Sequence, residues 1–319
     1  MLKNIALFCL SFLTSRSAAR TFTVVNACPF TIWPAIYTDL SVGTNIPDQP
    51  TGWEALALSS VRFTVPDDWK AGRIWGRRNC DFSVNPGPNS CATGGCNGGL
   101  LCDNMTGTGV PPVSVAEWTL QGDQNLDYYD VSLVDGSDLP MRIDNNVGCP
   151  IAQCAVDLGP NCPDPLKGPF DSTGFPLGCK SACFANLDGN QGDSPNCCTG
   201  QFNTALTCPS SGVAYYSYFK SNCPDAYAYA YDESSGTALW TCDSGLQADY
   251  LLTFCPSTPI TASSSATVSA TNSGNSTTSA LLESSTFSAN PTVISGAHKF
   301  TFNSIFIFLF FFSYYWAIY

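Results

Sequence analysis

Histidine is almost absent from this chain, and charged residues of any kind are scarce. The 319 residues include a single histidine, His298, and only 12% of them are Asp, Glu, Lys or Arg. The chain therefore offers at most one histidine for a Ser-His-Asp triad or a Cys/His metal site. Any acid/base chemistry must come from carboxyl groups, and we expect neither a metal nor a cofactor.

Positive charge is also in short supply. Thirteen Lys and Arg residues stand against twenty-five Asp and Glu residues, which gives a formal net charge of −12. Proteins that bind nucleic acid need cationic side chains to neutralise phosphate groups. The composition therefore argues against nucleic acid as a partner.

The first nineteen residues have the pattern of a signal peptide. Within residues 1–19, Lys3 precedes an apolar run over residues 5–10, and three small residues end the segment. This order of a basic, an apolar and a small-residue region is typical of secreted proteins. We expect the mature chain to begin at Arg20 or Thr21.

Cysteine is abundant, and its distribution agrees with secretion. The chain has 17 cysteines, and removal of the leader takes away Cys9. The remaining sixteen all lie between Cys28 and Cys255. Because the secretory route is oxidising, an even set of this size predicts a framework of disulfides.

The composition changes abruptly after the last cysteine. Twenty of the forty residues in 257–296 are Ser or Thr, and Glu283 is the single charged residue there. Such a segment has too few apolar residues to form a core, so we expect an extended, O-glycosylated stalk. Asn275 in the stalk and Asn104 in the preceding part begin N-glycosylation sequons.

The end of the chain resembles a signal for attachment of a glycosylphosphatidylinositol (GPI) lipid. Small residues, a short polar spacer and an uncharged apolar tail over residues 305–319 follow one another in that order. We predict Ser295 as the attachment residue and 297–319 as the removed propeptide. A membrane-spanning helix is the alternative, although fifteen residues fall short of the roughly 20 that a span requires.

Residues 20–256 remain as the folded part, and their periodicity is mostly that of β-strands. Apolar and polar residues alternate over residues 21–25, 61–65 and 73–75, and Gly, Pro, Asn and Asp punctuate the segments. The pattern predicts a mainly β fold, a sandwich or a barrel. Eight cysteines lie within residues 149–208, which predicts a cysteine-rich lobe beside the β core.

Five motifs in this part resemble the thaumatin-like family, which includes the osmotins and pathogenesis-related proteins. The resemblance runs from about Thr21 to Pro256 and includes sixteen cysteines in the family's order. The motifs are Phe22-Thr23-Val24-Val25-Asn26 with Cys28-Pro29-Phe30-Thr31-Ile32-Trp33, Gly72-Arg73-Ile74-Trp75-Gly76-Arg77, Cys91-Ala92-Thr93-Gly94-Gly95-Cys96, Asp130-Val131-Ser132-Leu133-Val134-Asp135-Gly136, and Cys223-Pro224-Asp225-Ala226-Tyr227.

The resemblance implies a fold and a set of disulfides that spacing alone does not provide. The fold is a β-sandwich core with a disulfide-rich lobe, a small loop domain and a cleft between sandwich and lobe. This chain has Gly95 where the family usually has Asp, and we expect that difference to affect a turn more than the cleft. The implied disulfides are Cys28–Cys255, Cys80–Cys91, Cys96–Cys102, Cys149–Cys242, Cys154–Cys223, Cys162–Cys179, Cys183–Cys197 and Cys198–Cys208.

A predicted hairpin over residues 114–135 brings two acidic side chains together, independently of any family. If its four-residue turn is symmetric, three cross-strand pairs follow: Trp118 with Tyr129, Ala116 with Val131, and Glu117 with Asp130. Directly opposed like charges destabilise a strand pair, so their presence suggests a function. Two such carboxyl groups suit a glycosidase of either stereochemistry. A solvated acidic face, or a pair bridged by Arg77, is the structural alternative.

The family resemblance also implies which residues line the cleft. In the family an Arg, a Glu and three Asp do so, and they correspond here to Arg77, Glu117, Asp130, Asp135 and Asp232. A shift of one residue would replace Asp232 by Glu233. Some members of the family hydrolyse β-1,3-glucan, whereas others only bind it.

Three tyrosines alternate with alanines near the end of the folded part. The segment from Tyr227 through Tyr229 to Tyr231 would place three phenol rings on one face if it were a strand. Such a face could stack sugar rings. Buried packing with internally bonded hydroxyl groups is the alternative, and it is the one we favour.

These observations predict a secreted, monomeric protein held at the cell surface or cell wall by a GPI lipid, its only contact with a membrane. Its acidic cleft would bind β-1,3-glucan and hydrolyse it, with Glu117 as proton donor and Asp130 or Asp135 as nucleophile or base. Arg77 would tune these groups, and Asp232 and Tyr227 would contact the polysaccharide. The alternative is a non-catalytic antifungal, defence or wall-structural protein.

Overall fold

A computed structural model describes residues 19–83 and 86–256, all of which belong to one unit, Met1–Thr261. The predictions that concern the leader, the stalk and the C-terminal tail, with Cys9, Asn275, Ser295 and His298, lie outside the described residues. Among the described residues, no helix is long and apolar enough to cross a membrane.

Ten β-strands form two sheets of five strands each. In chain order the strands are β1 (Ala19–Asn26), β2 (Ala35–Thr38), β3 (Ser59–Pro66), β4 (Gly72–Trp75), β5 (Val115–Thr119), β6 (Leu126–Ser132), β7 (Met141–Asn145), β8 (Ala152–Cys154), β9 (Trp240–Asp243) and β10 (Tyr250–Phe254). The first sheet has the order β3-β1-β10-β7-β8 and the second the order β2-β4-β5-β6-β9. All pairings are antiparallel except that of β1 with β10. The predicted mainly β fold is confirmed.

The core lies between the two sheets because alternate residues of each strand point towards it. On β1 every second side chain is buried, including Phe22 and Val24. Phe22 contacts Trp118 of β5 with ring centroids 5.1 Å apart, and Trp118 stacks on Trp69 at 6.1 Å. Aromatic contacts of this kind stabilise a core by ~0.5–1.5 kcal/mol each beyond their buried area.

A buried ion pair also connects the two sheets. Arg20 on β1 is 1% exposed, and its guanidinium group bonds both carboxylate oxygens of Asp127 on β6. Its Nε donates to Asp67 at 3.1 Å. Asp127 also accepts from the hydroxyl groups of Ser244 and Tyr250. The buried carboxylate of Asp127 is therefore paired with a cation and hydrogen-bonded inside the protein.

Eight disulfides pair all sixteen cysteines of the described residues, in the same pairs that the resemblance implies. Cys28–Cys255 joins the chain just beyond β1 to the chain just beyond β10. This bond closes a loop of 227 residues, and disulfides that close long loops restrict the unfolded chain most.

The cysteine-rich lobe has little regular structure. Short 3-10 turns and one α-helix, α1 (Tyr216–Asn222), are its regular elements among the described residues between β8 and β9. The lobe has a small core of its own that includes Cys198, Cys208, Val213 and Tyr229. Disulfides and turns, more than strand or helix hydrogen bonds, hold this part together.

Gly95, where the chain departs from the family pattern, lies against a neighbouring loop. A Cβ atom at this position would stand 2.0 Å from the carbonyl oxygen of Pro88. A side chain here would therefore force the backbone near Pro88 to move. The replacement of Asp by Gly fits a closer approach of the two loop segments.

Candidate functional site

Three adjacent strands of the second sheet place an arginine and two acids in one row. Arg73 on β4 is the register partner of Glu117 on β5, and Glu117 is the partner of Asp130 on β6. The predicted hairpin register is confirmed. Because side chains alternate along a strand, the neighbours Ile74 and Trp118 point to the opposite face and into the core.

Glu117 forms an ion pair with Arg73. The Nε atom of Arg73 lies 2.7 Å from Oε1 of Glu117, and both side chains are about a quarter exposed, at 28% and 25%. As half of an ion pair, Glu117 is a carboxylate. It remains accessible to a ligand from solvent.

Asp130 has a very different environment from its neighbour. The residue is only 8% exposed, and its Oδ1 atom has no hydrogen-bond partner among the described residues. Burial raises the pKa of Asp130 well above its usual range, and the negative charge of Glu117 raises it further, against the opposing effect of Arg73. Both effects favour the neutral, protonated form of Asp130 over the ionised form.

Asp135 follows the end of β6 and completes the group. Its side chain is partly exposed, and its backbone oxygen accepts a hydrogen bond from Val113 at 3.1 Å. Burial raises the pKa of Asp135 to about 6, with Arg73 lowering it and Glu117 raising it. We call Arg73, Glu117, Asp130 and Asp135 the acidic cluster.

Tyr227 and Glu233 border the acidic cluster. The backbone of Tyr227 continues the edge of β6, since its N–H donates to Val131 and its oxygen accepts from Leu133, both at 2.9 Å. Burial raises the pKa of the Tyr227 phenol, and the charges of Asp130 and Glu233 add to the effect. Glu233 also raises the pKa of Asp130. Tyr227 thus stands beside the acids, as its predicted role requires.

The three tyrosines do not form the face of a strand, and the buried packing that we favoured holds for Tyr229. Tyr227 forms a single bridge with Ser132, and the residues after it form bends and turns instead of a strand. Tyr229 is buried against Tyr216, with ring centroids 5.4 Å apart. The hydroxyl of Tyr231 donates to Asn203 at 2.7 Å. Alternation predicted a strand, but the turns of the disulfide-rich lobe determine the backbone here.

The predicted role of Arg77 is wrong. Its side chain is fully buried, and its guanidinium group donates to the backbone oxygens of Trp33, Pro34, Gly99 and Leu100 at 2.7–3.2 Å. Burial lowers the pKa of Arg77 to about 10. Arg77 therefore stabilises loops, and Arg73 is the cation of the acidic cluster. Because residues 73 and 77 have the same parity, strand alternation could not have distinguished Arg73 from Arg77.

Asp232 is likewise buried away from the acidic cluster. Its carboxylate lies 2.9 Å from Nζ of Lys220, accepts from the hydroxyl of Tyr216 at 2.8 Å and accepts from the N–H of Ala228 at 3.0 Å. These bonds satisfy the carboxylate and hold the turn. The charge of the adjacent Glu233 raises the pKa of Asp130. The alternative in which Glu233 takes the place of Asp232 therefore fits the structure.

The raised pKa of Asp130 predicts a pH-dependent effect of its replacement. The folded chain retains a proton on Asp130 that the unfolded chain releases near pH 4, so this group weakens folding as the pH rises. We expect Asp130→Asn to raise the free energy of unfolding at pH 7 and to leave it nearly unchanged at pH 4. Denaturant unfolding at both pH values measures the difference. The exposed Asp123→Asn is the matched control, and an equal effect of Asp130→Asn at both pH values would contradict the assignment.

No group of acidic residues and cysteines within the described residues has the arrangement of a metal site. Arg73 provides one positive charge, Glu117 one negative charge, and Asp130 and Asp135 are acids with raised pKa values.

Comparisons with known proteins agree with this architecture. Pathogenesis-related thaumatin-like protein 3.5 of Cryptomeria japonica is 41% identical over 250 residues, which cover 77% of this chain and 94% of that protein. Pathogenesis-related protein 5 of Arabidopsis thaliana is 41% identical over 261 residues, with 80% and 99% covered.

Two solved structures are similar to this chain at low identity and low TM-score. The thaumatin-like xylanase inhibitor TLXI is 18% identical, with a TM-score of 0.36 and with 74% of this chain and 99% of that chain covered. A family 64 laminaripentaose-producing β-1,3-glucanase from Paenibacillus barengoltzii is 10% identical, with a TM-score of 0.46 and with 75% of each chain covered. The sequence profile of the Thaumatin family matches residues 26–256, and this chain therefore belongs to the thaumatin family.

Proposed function

We propose that this protein is an extracellular defence protein whose acidic cluster binds β-1,3-glucan and hydrolyses it. One observation carries the proposal: Glu117 and Asp130, an acid of raised pKa, lie side by side in a sheet next to Arg73, and Asp135, a second acid of raised pKa, follows the end of β6. Glycosidases need one ionised and one protonated carboxyl group, and different environments provide that difference.

The roles of the acids follow from their protonation and exposure. Asp135 suits the proton donor, because it is partly exposed and its pKa of about 6 keeps it protonated in mildly acidic solution. Glu117 suits the nucleophile or base, because it is partly exposed and its ion pair with Arg73 fixes its position. Asp130 is nearly buried and neutral, and it limits the negative charge beside Glu117. This assignment differs from the sequence-based prediction, in which Glu117 was the proton donor and Asp130 or Asp135 was the nucleophile or base.

The proposed location rests on the disulfides and on the ends of the chain. Sixteen cysteines paired in eight disulfides indicate an oxidising compartment. Relatives about 40% identical to this chain are described as pathogenesis-related, which supports a role in defence. We propose a monomer at the cell surface or wall, with a GPI lipid on Ser295 as its anchor.

Hydrolysis of laminarin, a soluble β-1,3-glucan, tests the proposal. We expect reducing sugar to be released at pH 4–5, with activity falling as the pH rises through about 6, because the proton of Asp135 is then lost. A reducing-sugar assay over pH 4–8 measures this profile. The proposal is overturned if the protein does not hydrolyse laminarin and is not retained on insoluble β-1,3-glucan.

Binding of glucan without hydrolysis is the second candidate function. It is favoured by the same Arg73–Glu117 ion pair, because a carboxylate neutralised at 2.7 Å is a weaker nucleophile or base. In that case insoluble glucan should retain the protein while laminarin stays intact at every pH. Hydrolysis of laminarin therefore distinguishes the two candidate functions.

A further inference from the structure

A cavity remote from the acidic cluster has the features of a ligand site. Its volume is about 310 Å³, and no residue of the acidic cluster belongs to its wall. The wall combines residues that follow β1, the turn before β7 and two loops of the cysteine-rich lobe. Its members are Pro29, Phe30, Arg78, Asp138, Leu139, Pro140, Asp157, Phe175 and Cys255.

Two aromatic rings give this cavity an exposed apolar wall. Phe30 is 37% exposed and Phe175 is 39% exposed, and both lie beside prolines. Behind them, the Cys28–Cys255 disulfide fixes the segment that carries Phe30. Ligand pockets are usually apolar and hold a few polar groups that orient the ligand. A ligand with a flat apolar face therefore suits the wall.

The polar part of the wall has unused hydrogen-bonding capacity. The guanidinium carbon of Arg78 lies 5.0 Å from the centre of the Phe30 ring, and its Nη1 donates to the backbone oxygens of Asp138 and Leu177. Nε of Arg78 has no partner among the described residues. Asp157 is exposed and receives a bond from Gly159 at Oδ1. Asp157 is an acceptor that a ligand can reach, whereas the unpaired Nε of Arg78 is itself buried.

The charges of the wall select a neutral ligand. Asp138 and Asp157 line the cavity with Arg78, and residues 20–256 carry 10 basic and 24 acidic residues, a net charge of −14. This excess disfavours an anion, while the guanidinium group of Arg78 disfavours a cation. The carboxyl of Asp138 is already bonded by Thr93 at 2.7 Å and by Ser114 at 3.0 Å. Asp157 is therefore the acceptor left for ligand hydroxyl groups.

We propose that this cavity binds a neutral hexopyranose unit of a β-glucan, as a second site separate from the acidic cluster. The apolar face of the sugar ring would lie on Phe175 or Phe30, and its hydroxyl groups would donate to Asp157. The volume, near the lower limit of about 300–1,000 Å³ for ligand sites, suits one or two sugar units. The site shares the sugar class of the proposed function but none of its residues.

Calorimetry with an S-linked laminaritetraose, which cannot be hydrolysed, tests the second site. We expect the disulfide-bonded protein to bind two equivalents. Phe175→Ala should weaken one of the two sites at least tenfold and leave the other unchanged, and Phe30→Ala is the second variant. Leu206→Ala is the matched control, because Leu206 lies outside the cavity and is 91% exposed.

The outcomes separate the second site from the proposed function. The second site is overturned if the protein binds one equivalent that Glu117→Gln abolishes, or if neither phenylalanine variant differs from Leu206→Ala. If Glu117→Gln leaves binding unchanged while Phe175→Ala abolishes it, the second site stands and the role of the acidic cluster fails. Near-UV circular dichroism of each variant confirms that the fold is retained.

Discussion

Glu117→Gln and Asp135→Asn should each reduce the hydrolysis of laminarin about 10²–10⁴-fold, the usual contribution of a general acid or base. Gln at position 117 removes the carboxylate that pairs with Arg73, and Asn at position 135 removes the proton of raised pKa. Initial rates of reducing-sugar release at pH 5 measure both effects.

Asp130→Asn is the informative comparison for these two variants. Because Asp130 is already neutral in the folded chain, an amide of the same shape should keep activity within about tenfold, or about 1.4 kcal/mol in the barrier. The roles assigned here fail if Asp130→Asn is as inactive as Asp135→Asn. They also fail if Asp135→Asn keeps the activity of the native chain. Glu54→Gln, remote in sequence from the site and exposed, controls for the loss of one surface charge.

Arg20→Met should lower the free energy of unfolding by about 3–5 kcal/mol, which is typical when one partner of a buried ion pair is removed. The side chain of Asp127 is 0% exposed, and without Arg20 its negative charge has no cation in contact. The hydroxyl groups of Ser244 and Tyr250 still donate to it, but they carry no charge. Denaturant unfolding of the disulfide-bonded protein at pH 7 measures the loss.

A second variant separates the lost charge from lost packing. Asp127→Asn in the Arg20→Met background removes the unpaired charge and keeps the acceptor oxygen, so stability should recover by more than half. Arg62→Met on the neighbouring β3 is the control, because Arg62 is exposed and should change stability by no more than about 0.5 kcal/mol. Equal effects of Arg20→Met and Arg62→Met would contradict the role of the buried pair.

The buried pair also bears on the predicted start of the mature chain. Strand β1 begins at Ala19, and Arg20 is its first buried side chain. A chain that begins at Arg20 keeps the cation that pairs with Asp127, whereas a chain that begins at Thr21 lacks it. Of the two predicted start positions, we therefore expect Arg20.

Strand alternation alone was enough to predict half of the acidic cluster. In a hairpin with a short turn, the side-chain period of two and the turn length together determine which residues oppose each other. The pairs Trp118–Tyr129 and Glu117–Asp130 could therefore be derived locally, and the structure has the same register. The mainly β class followed from the same periodicity in β1 and β3.

The other members of the acidic cluster could not be predicted locally, because their positions depend on contacts between segments far apart in the chain. Whether Arg73 or Arg77 meets Glu117 is decided by the register of β4 against β5 and by where β4 ends. Arg77 lies beyond that end, and the backbone oxygens of distant loops bind it. A sequence motif contains both arginines, but it does not specify which one faces the acids.

By itself, then, the sequence determined the strand class, the hairpin and its opposed acids, because these depend on periodicity and short-range geometry. Only the tertiary structure decided which acid holds a proton, because burial and neighbouring charges set the pKa values of Asp130 and Asp135. It also decided that Asp232 is bound by Lys220 and that Glu233 stands nearer the acids. Desolvation and charge are properties of the packed chain, and a linear pattern of residues does not contain them.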